Sequence, residues 1–264
     1  ENDATAECPR IPEHGLIRCV GRGSYGEVWL ARSVIGTYRG VKIVHRKKFQ
    51  EERPYESEFE GIRNFEPISR SHEGFVSILQ VGRNDVLGYF YCVMEVADDL
   101  KKGQEIEPEH YVPRTLAAVL RQHGRFPPVE CAAIIGQVAS ALARLHQLNL
   151  IHRDIKPSNI IFVNGHAKLA DIGLVTEIGE QATQVATLGY FAPEGPGTPL
   201  ADLFSLGKVL YQMAAGKEVD QFPELPTNLA EDHDVSGFIR LNEIILKACD
   251  RNSRARFQSA EEMH

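Results

Sequence analysis

The stretch that most limits what this chain can become is Leu150-Ile151-His152-Arg153-Asp154-Ile155-Lys156-Pro157-Ser158-Asn159-Ile160-Ile161-Phe162. Apolar runs at both ends hold a short polar loop against a core, and the loop carries Asp154, Lys156 and Asn159 within six positions. An aspartate can take a proton from a hydroxyl, a lysine can balance developing negative charge, and an asparagine offers an oxygen to a hard cation. Further on, Lys168-Leu169-Ala170-Asp171-Ile172-Gly173 reads as an apolar strand ending in a second carboxylate, with a glycine to free the backbone. Asp171 with Asn159 suits magnesium on a polyphosphate, because that ion takes oxygen ligands and keeps several waters. Either piece alone would pass for a solvated turn. Both in order, at this spacing, do not.

Together the two pieces resemble the catalytic loop and metal-binding turn of eukaryotic-like protein kinases, H-R-D-x-K-x-x-N and D-F-G. Ile172 stands where that family usually has Phe, at a position that carries packing rather than chemistry.

The N-terminal part supports the resemblance. Leu16 to Val20 reads as a strand, followed by Gly21-Arg22-Gly23-Ser24-Tyr25-Gly26 and then strand-like Glu27-Val28-Trp29-Leu30-Ala31. A dinucleotide fingerprint needs a helix after its last glycine, so strand, glycine turn and strand disfavour that fold. The pattern is similar to the kinase glycine-rich loop, whose glycines let backbone N–H groups approach phosphate. Lys42 lies mid-strand in Gly40-Val41-Lys42-Ile43-Val44; alone it would read as a snorkelling edge lysine. Arg53 to Glu66 reads as a helix with Tyr55, Phe59, Ile62 and Phe65 on one stripe and Glu58 inside it. A carboxylate on a buried face needs a partner, and Lys42 is the expected one rather than a partner for Glu56 or Glu60. Two strands are expected at Phe75–Val81 and Tyr89–Val96, joined by a turn through Asn84-Asp85.

The remainder reads as helical. Pro127 to Gln147 has apolar residues at helical spacing, and Ala201 to Tyr211 forms a strongly apolar helix with an early Asp202. Ser259 and Glu262 are expected to form a capping box.

By resemblance, the fold class is α+β: a bilobal protein-kinase fold with a small antiparallel β-rich N-lobe, one key helix, and a larger, mostly helical C-lobe. The implied layout is an N-terminal extension at 1–13, an N-lobe at 14–97, a hinge and surface insert at 98–113, and a C-lobe at 114–264. The helical pattern runs to His264, so the chain is expected to be part of something longer.

The same resemblance assigns roles. Asp154 orients the acceptor hydroxyl, Lys156 stabilises the transferring phosphoryl group, and Asn159 and Asp171 hold magnesium, with manganese as a substitute. Lys42, held by Glu58, orients the α- and β-phosphates of ATP. Gly21, Gly23, Ser24, Tyr25, Gly26, Val28, Val41, Met94, Glu95, Ala97 and Ile161 surround the nucleotide, with Met94 as gatekeeper and Glu95 and Ala97 as hinge. Arg153 links the loop to a phosphorylated segment whose phosphate is expected on Thr183, while Thr187 is structural. Glu194, in a motif similar to A-P-E, pairs with Arg256, and Asp202 caps the catalytic loop. Lysine at 156 is the family's serine/threonine mark.

The implied activity is an ATP-dependent, autophosphorylating serine/threonine protein kinase of signalling, most like bacterial members. Its partners are protein substrates and a second copy for autophosphorylation. A kinase-fold scaffold would have lost Lys42, Asp154, Asn159 or Asp171, and a small-molecule phosphotransferase would lack the A-P-E motif and the Asp202 helix.

Composition sets the outer limits. With 264 residues, net charge −7 and no Lys/Arg run, nothing points to nucleic acid or an anionic membrane. No apolar run suggests a membrane segment and Glu1 to Arg10 lacks a signal core, so a cytoplasmic setting is expected, alone or as the cytoplasmic part of a longer, membrane-anchored protein. Cys8, Cys19, Cys92, Cys131 and Cys249 are scattered without metal-like spacing, which suggests buried thiols.

Overall fold

A computed structural model describes residues 9–23, 26–171, 176–177, 189–226, 229 and 234–264. Five strands form an antiparallel sheet in the order β1-β2-β3-β5-β4: β1 His14–Arg22, β2 Gly26–Ser33, β3 Tyr38–His45, β4 Ile78–Asn84 and β5 Tyr89–Met94. Side chains alternate across a strand, so the register sorts them onto two faces. Val41, Ile43, Tyr89, Tyr91 and Val93 share a small outer core with Ala31. Val44, Phe90 and Cys92 face the other way, into the main core.

That inner face is covered by α1, Glu52–Phe65, within a residue of the expected bounds. Tyr55, Glu58, Ile62 and Phe65 are its buried residues. Tyr55 and Phe59 meet Phe90 at ring-centroid distances of 5.1 and 5.3 Å, and Phe65 meets Phe75 edge-on at 5.3 Å. Such pairs add about 0.5–1.5 kcal/mol each beyond the area they bury.

The strand expected at Phe75–Val81 begins later, at Ile78. Residues 74–76 pair with the other lobe instead: Leu169 N–H donates to Gly74 C=O at 2.8 Å, and Val76 N–H to Leu169 C=O at 3.0 Å. Backbone groups there are satisfied across the lobes rather than within the sheet.

The C-lobe is built on α2 Leu116–His123, α3 Pro128–Gln147, α4 Pro199–Ala215, α5 Val235–Ala248 and α6 Ala260–Met263. Thr115, Thr198, Asp234 and Ser259 accept N-cap hydrogen bonds at four of these starts. The expected capping box is only half formed. Ser259 accepts from Glu262 N–H, but the Glu262 carboxylate takes the Gln258 N–H at 2.7 Å, one residue earlier. Helix α3 is, among the described residues, the one long and apolar enough to cross a membrane by length and composition. Its apolar residues Ile135, Val138, Leu142 and Leu145 are buried in the core, which accounts for the hydropathy without a bilayer. Gly207 lets α4 approach α5, since a Cβ there would lie 2.7 Å from Ala248 Cβ.

The segment 98–113 is more than a surface excursion. Asp98 accepts from Asn164 and Gly165 N–H, and Asp99 accepts from Lys101, Lys102 and Val112 N–H, so both carboxylates organise backbone. Tyr111 is buried and donates its hydroxyl to Ala97 C=O at 3.0 Å. Among the described cysteines all four are free, and burial pushes Cys92 up to about 11 and Cys131 and Cys249 up to about 12. Those thiols are inert.

Candidate active site

The loop at 152–159 lies between β6, Leu150–Ile151, and β7, Ile160–Val163, and closes in a 3-10 turn at Pro157–Asn159. Arg153 (φ 68°) and Asp171 (φ 59°) both sit in the left-handed region. For non-glycine residues this costs about 1–3 kcal/mol each and persists only where the surroundings enforce it. The Asp202 carboxylate supplies that enforcement for the loop. Buried in the first turn of α4, it accepts from His152 N–H and Arg153 N–H, each at 2.9 Å, and contacts His146 Nε2 at 3.0 Å. His152 Nε2 lies 3.2 Å from Ala170 C=O, which links the loop to the turn that carries Asp171.

Within the loop, Asn159 Nδ2 donates to the Asp154 carbonyl and to Asp154 Oδ2, both at 2.8 Å. Lys156 Nζ is 2.7 Å from the same Oδ2. Asp154 is therefore aimed by one amide and neutralised by one ammonium.

Across the cleft, Lys42 Nζ donates to Glu58 Oε1 at 3.0 Å and to Asp171 Oδ1 at 2.5 Å. Glu58 is the pairing glutamate, as its place on the stripe predicts; Glu56 and Glu60 bond elsewhere, to Arg83 and Arg63. The contact to Asp171 joins the two lobes and no local pattern announces it. Burial would lower the Lys42 pKa, but the Asp171 and Glu58 carboxylates outweigh it and raise it. The Lys42 ammonium holds the Asp171 carboxyl below the usual range, whereas burial pushes Glu58 up despite Lys42. Two carboxylates around one ammonium leave a net negative charge, and the Asp171 side chain is still 45% accessible. That carboxylate and the Asn159 amide oxygen suit a hard cation whose shell is completed by phosphate and water.

Between the lobes lies a cleft of about 600 Å³, in the range of small-molecule sites. Gly21, Gly23, Gly26, Val28, Lys42, Met94, Glu95, Ala97, Ile161, Asp154, Lys156, Asn159 and Asp171 all line it. Gly26 has no room for a side chain, since a Cβ would sit 2.6 Å from Ile43 C=O. Ser24, Tyr25, Thr183 and Thr187 lie outside the described residues.

Val41 is a correction. It is fully buried in the outer core of the sheet and does not line the cleft. Strand alternation turns Lys42 inward and Val41 outward, so the cleft-facing neighbour is Gly40. A Cβ on Gly40 would lie 3.3 Å from Met94 Cγ and from Glu95 C=O. The parity of the strand could have shown this. Sequence reasoning also missed Val20, Val76 and Tyr111 in the lining. The first lies just before the glycine turn and could have been found there, whereas Tyr111 depends on how the 98–113 segment folds.

Far below the cleft, Arg256 grips Glu194 with a fork, Nη1 to Oε1 at 2.6 Å and Nη2 to Oε2 at 2.9 Å, as the motif predicts.

This bilobal fold, with its lysine–glutamate pair, loop aspartate and turn aspartate around one cleft, defines a protein kinase domain. The protein kinase domain model matches residues 15–262, and the chain belongs to that family. It is 28% identical, over 94% of its length, to the serine/threonine-protein kinase PrkC of Bacillus subtilis. It is 30% identical, again over 94%, to a probable serine/threonine-protein kinase of Clostridium perfringens, and 26% identical over 92% to the probable kinase PknB of Corynebacterium glutamicum. It spans 39%, 37% and 40% of these relatives' lengths. It is therefore a protein serine/threonine kinase domain, and the family implies use of ATP and a divalent metal ion.

Proposed function

We propose that the domain transfers the γ-phosphoryl group of Mg-ATP to serine and threonine hydroxyls in proteins, itself included, through the residues converging on the cleft. The observation that carries this is the placement of Lys42, Glu58, Asp154, Lys156, Asn159 and Asp171 around one 600 Å³ cavity, drawn from both lobes.

Phosphoryl transfer leaves little covalent chemistry for the protein, so positioning and electrostatics supply the rate. Lys42, kept charged by its two carboxylates, orients the α- and β-phosphates. Asp171 and Asn159 would hold magnesium, which supplies neutralisation of phosphate charge. Asp154, aimed by Asn159, accepts a hydrogen bond from the acceptor hydroxyl and takes its proton as the oxygen bonds to phosphorus. Lys156, already beside Asp154, balances the charge of the moving phosphoryl group. The hinge at Glu95 and Ala97 holds adenine, with Met94 limiting depth. We further assign the domain to the cytoplasm, with autophosphorylation at Thr183 between two copies; peptide mapping after exposure to Mg-ATP tests that site.

The decisive assay is transfer of labelled γ-phosphate to a generic basic protein, with and without magnesium, beside Asp154→Asn. Metal-dependent label on serine and threonine, lost in the variant, supports the proposal. Label on neither hydroxyl, or near-full transfer by the variant, overturns it.

A further inference from the structure

Helix α1 delivers Glu58 to Lys42, yet Lys42 is a poor anchor for the helix, because Asp171 shares it at 2.5 Å. Buried Tyr55, Ile62 and Phe65 seat the helix on the core, and a second polar contact adds to that hold on its rotation. On the side of α1 away from Lys42, Glu56 receives both arms of Arg83: Nη1 to Oε2 at 2.6 Å and Nη2 to Oε1 at 2.7 Å. Two residues apart on a helix means about 200° around the axis, so the two glutamates secure different sides. Arg83 stands on β4 opposite Phe90, sharing the inner face of the sheet with it. Its guanidinium carbon lies 5.5 Å from the Tyr55 ring centre and 5.3 Å from that of Phe59, the two rings that pack on Phe90. Asp85 meets its Nε, so each of the three guanidinium nitrogens has a carboxylate partner.

We propose that Arg83 is a positioning residue of the kinase reaction, holding α1 at the rotation that keeps Glu58 on Lys42. Arg83 does not line the cleft and touches none of the groups assigned to chemistry there. An exposed ion pair normally contributes little, and this one lies at the surface, but it is bidentate and lies over two aromatic rings. A planar fork resists roll in a way that a point charge cannot. If α1 rolled, the Tyr55 and Phe59 contacts and both arms of the fork would be lost together.

The inference rests on Glu58 serving Lys42, and a double-mutant cycle separates the two claims. Peptide kcat/KM is measured for wild type, Arg83→Gln, Glu58→Gln and the double variant, with Glu56→Gln as a second way to open the fork. Arg83→Gln and Glu56→Gln should each lower kcat/KM by about fivefold, the upper range for such a pair. In the Glu58→Gln background, either change should move kcat/KM by less than about twofold, because nothing remains to position. Full multiplicative losses in that background would mean a general structural role and overturn the proposal. So would unchanged kinetics in both Arg83→Gln and Glu56→Gln. Unchanged kinetics in Glu58→Gln alone would instead overturn the assignment of Glu58.

Discussion

Each lobe contains a cation gripped by carboxylate, and the two are built to opposite ends. Arg256 exposes none of its side chain and spends its donors on Glu194 and on the carbonyls of Asp250, Leu200 and Arg251, while lying over the Phe204 ring at 4.9 Å. All its partners belong to the C-lobe. Lys42 has two carboxylates from different elements, one reached across the cleft, and one of those is still open to solvent. A planar fork with every donor committed is a strut. A point charge with a divided allegiance can change partners when phosphate arrives. Similar chemistry thus serves permanence in one lobe and exchange in the other.

The sharpest way to break this contrast is to neutralise the cleft. Asp154→Asn should lower kcat by about 10²–10⁴-fold, the usual worth of a positioned acid or base. Nucleotide affinity should stay close to wild type, because the role proposed for Asp154 is toward the acceptor hydroxyl; steady-state kinetics with nucleotide titration checks both.

The complementary change strikes the strut. Arg256→Met leaves Glu194 solvated but takes the donor from the carbonyls of Asp250, Leu200 and Arg251, and should cost about 1–3 kcal/mol of stability. It should appear as a lower urea midpoint at unchanged slope, with kcat per folded molecule nearly retained. A large fall in kcat at unchanged stability would erase the distinction between the two centres.

The difference in how much of each centre the sequence reveals has a physical cause. Asp154, Lys156, Asn159 and Asp171 are legible because their chemistry lies in residue type at fixed local spacing. Glu58 is legible because a carboxylate inside an apolar helical stripe demands a partner. The Lys42–Asp171 contact is not, since it spans 129 positions and depends on how the lobes close. The resemblance puts Val41 at the nucleotide, although strand alternation sends it and its neighbour Lys42 to opposite faces. The 98–113 segment gave no periodic signal, since its order comes from Asp98 and Asp99 binding backbone N–H groups. The sheet and the helix positions were readable from periodicity, whereas the late start of β4 was not, because the backbone of 74–76 is paired by the other lobe.

A subtler separation comes from pH. The Glu194 pKa is lowered: burial would raise it, but the Arg256 hydrogen bonds more than offset that. A depressed folded value contributes stability that is present above the unfolded value near 4.5 and is lost as pH falls through the folded one. Glu194→Gln should therefore destabilise at pH 7, and its difference from wild type should shrink below about 4.5. Glu58 is raised by burial, so its contribution is present in acid and lost as pH climbs through the folded value. Glu58→Gln should leave stability at pH 7 equal or higher while lowering activity. Denaturant midpoints against pH for the two variants give opposite signs if the contrast holds, and the same sign if it does not.

In the function proposed for the cleft, Asp171 takes the metal ion that comes with the nucleotide, although it now bonds Lys42. Calorimetric titration of a non-hydrolysable ATP analogue, with and without magnesium, into wild type and Asp171→Asn tests it directly. Magnesium should tighten binding to wild type and lose most of that effect in the variant. An equal magnesium enhancement in both proteins would contradict it.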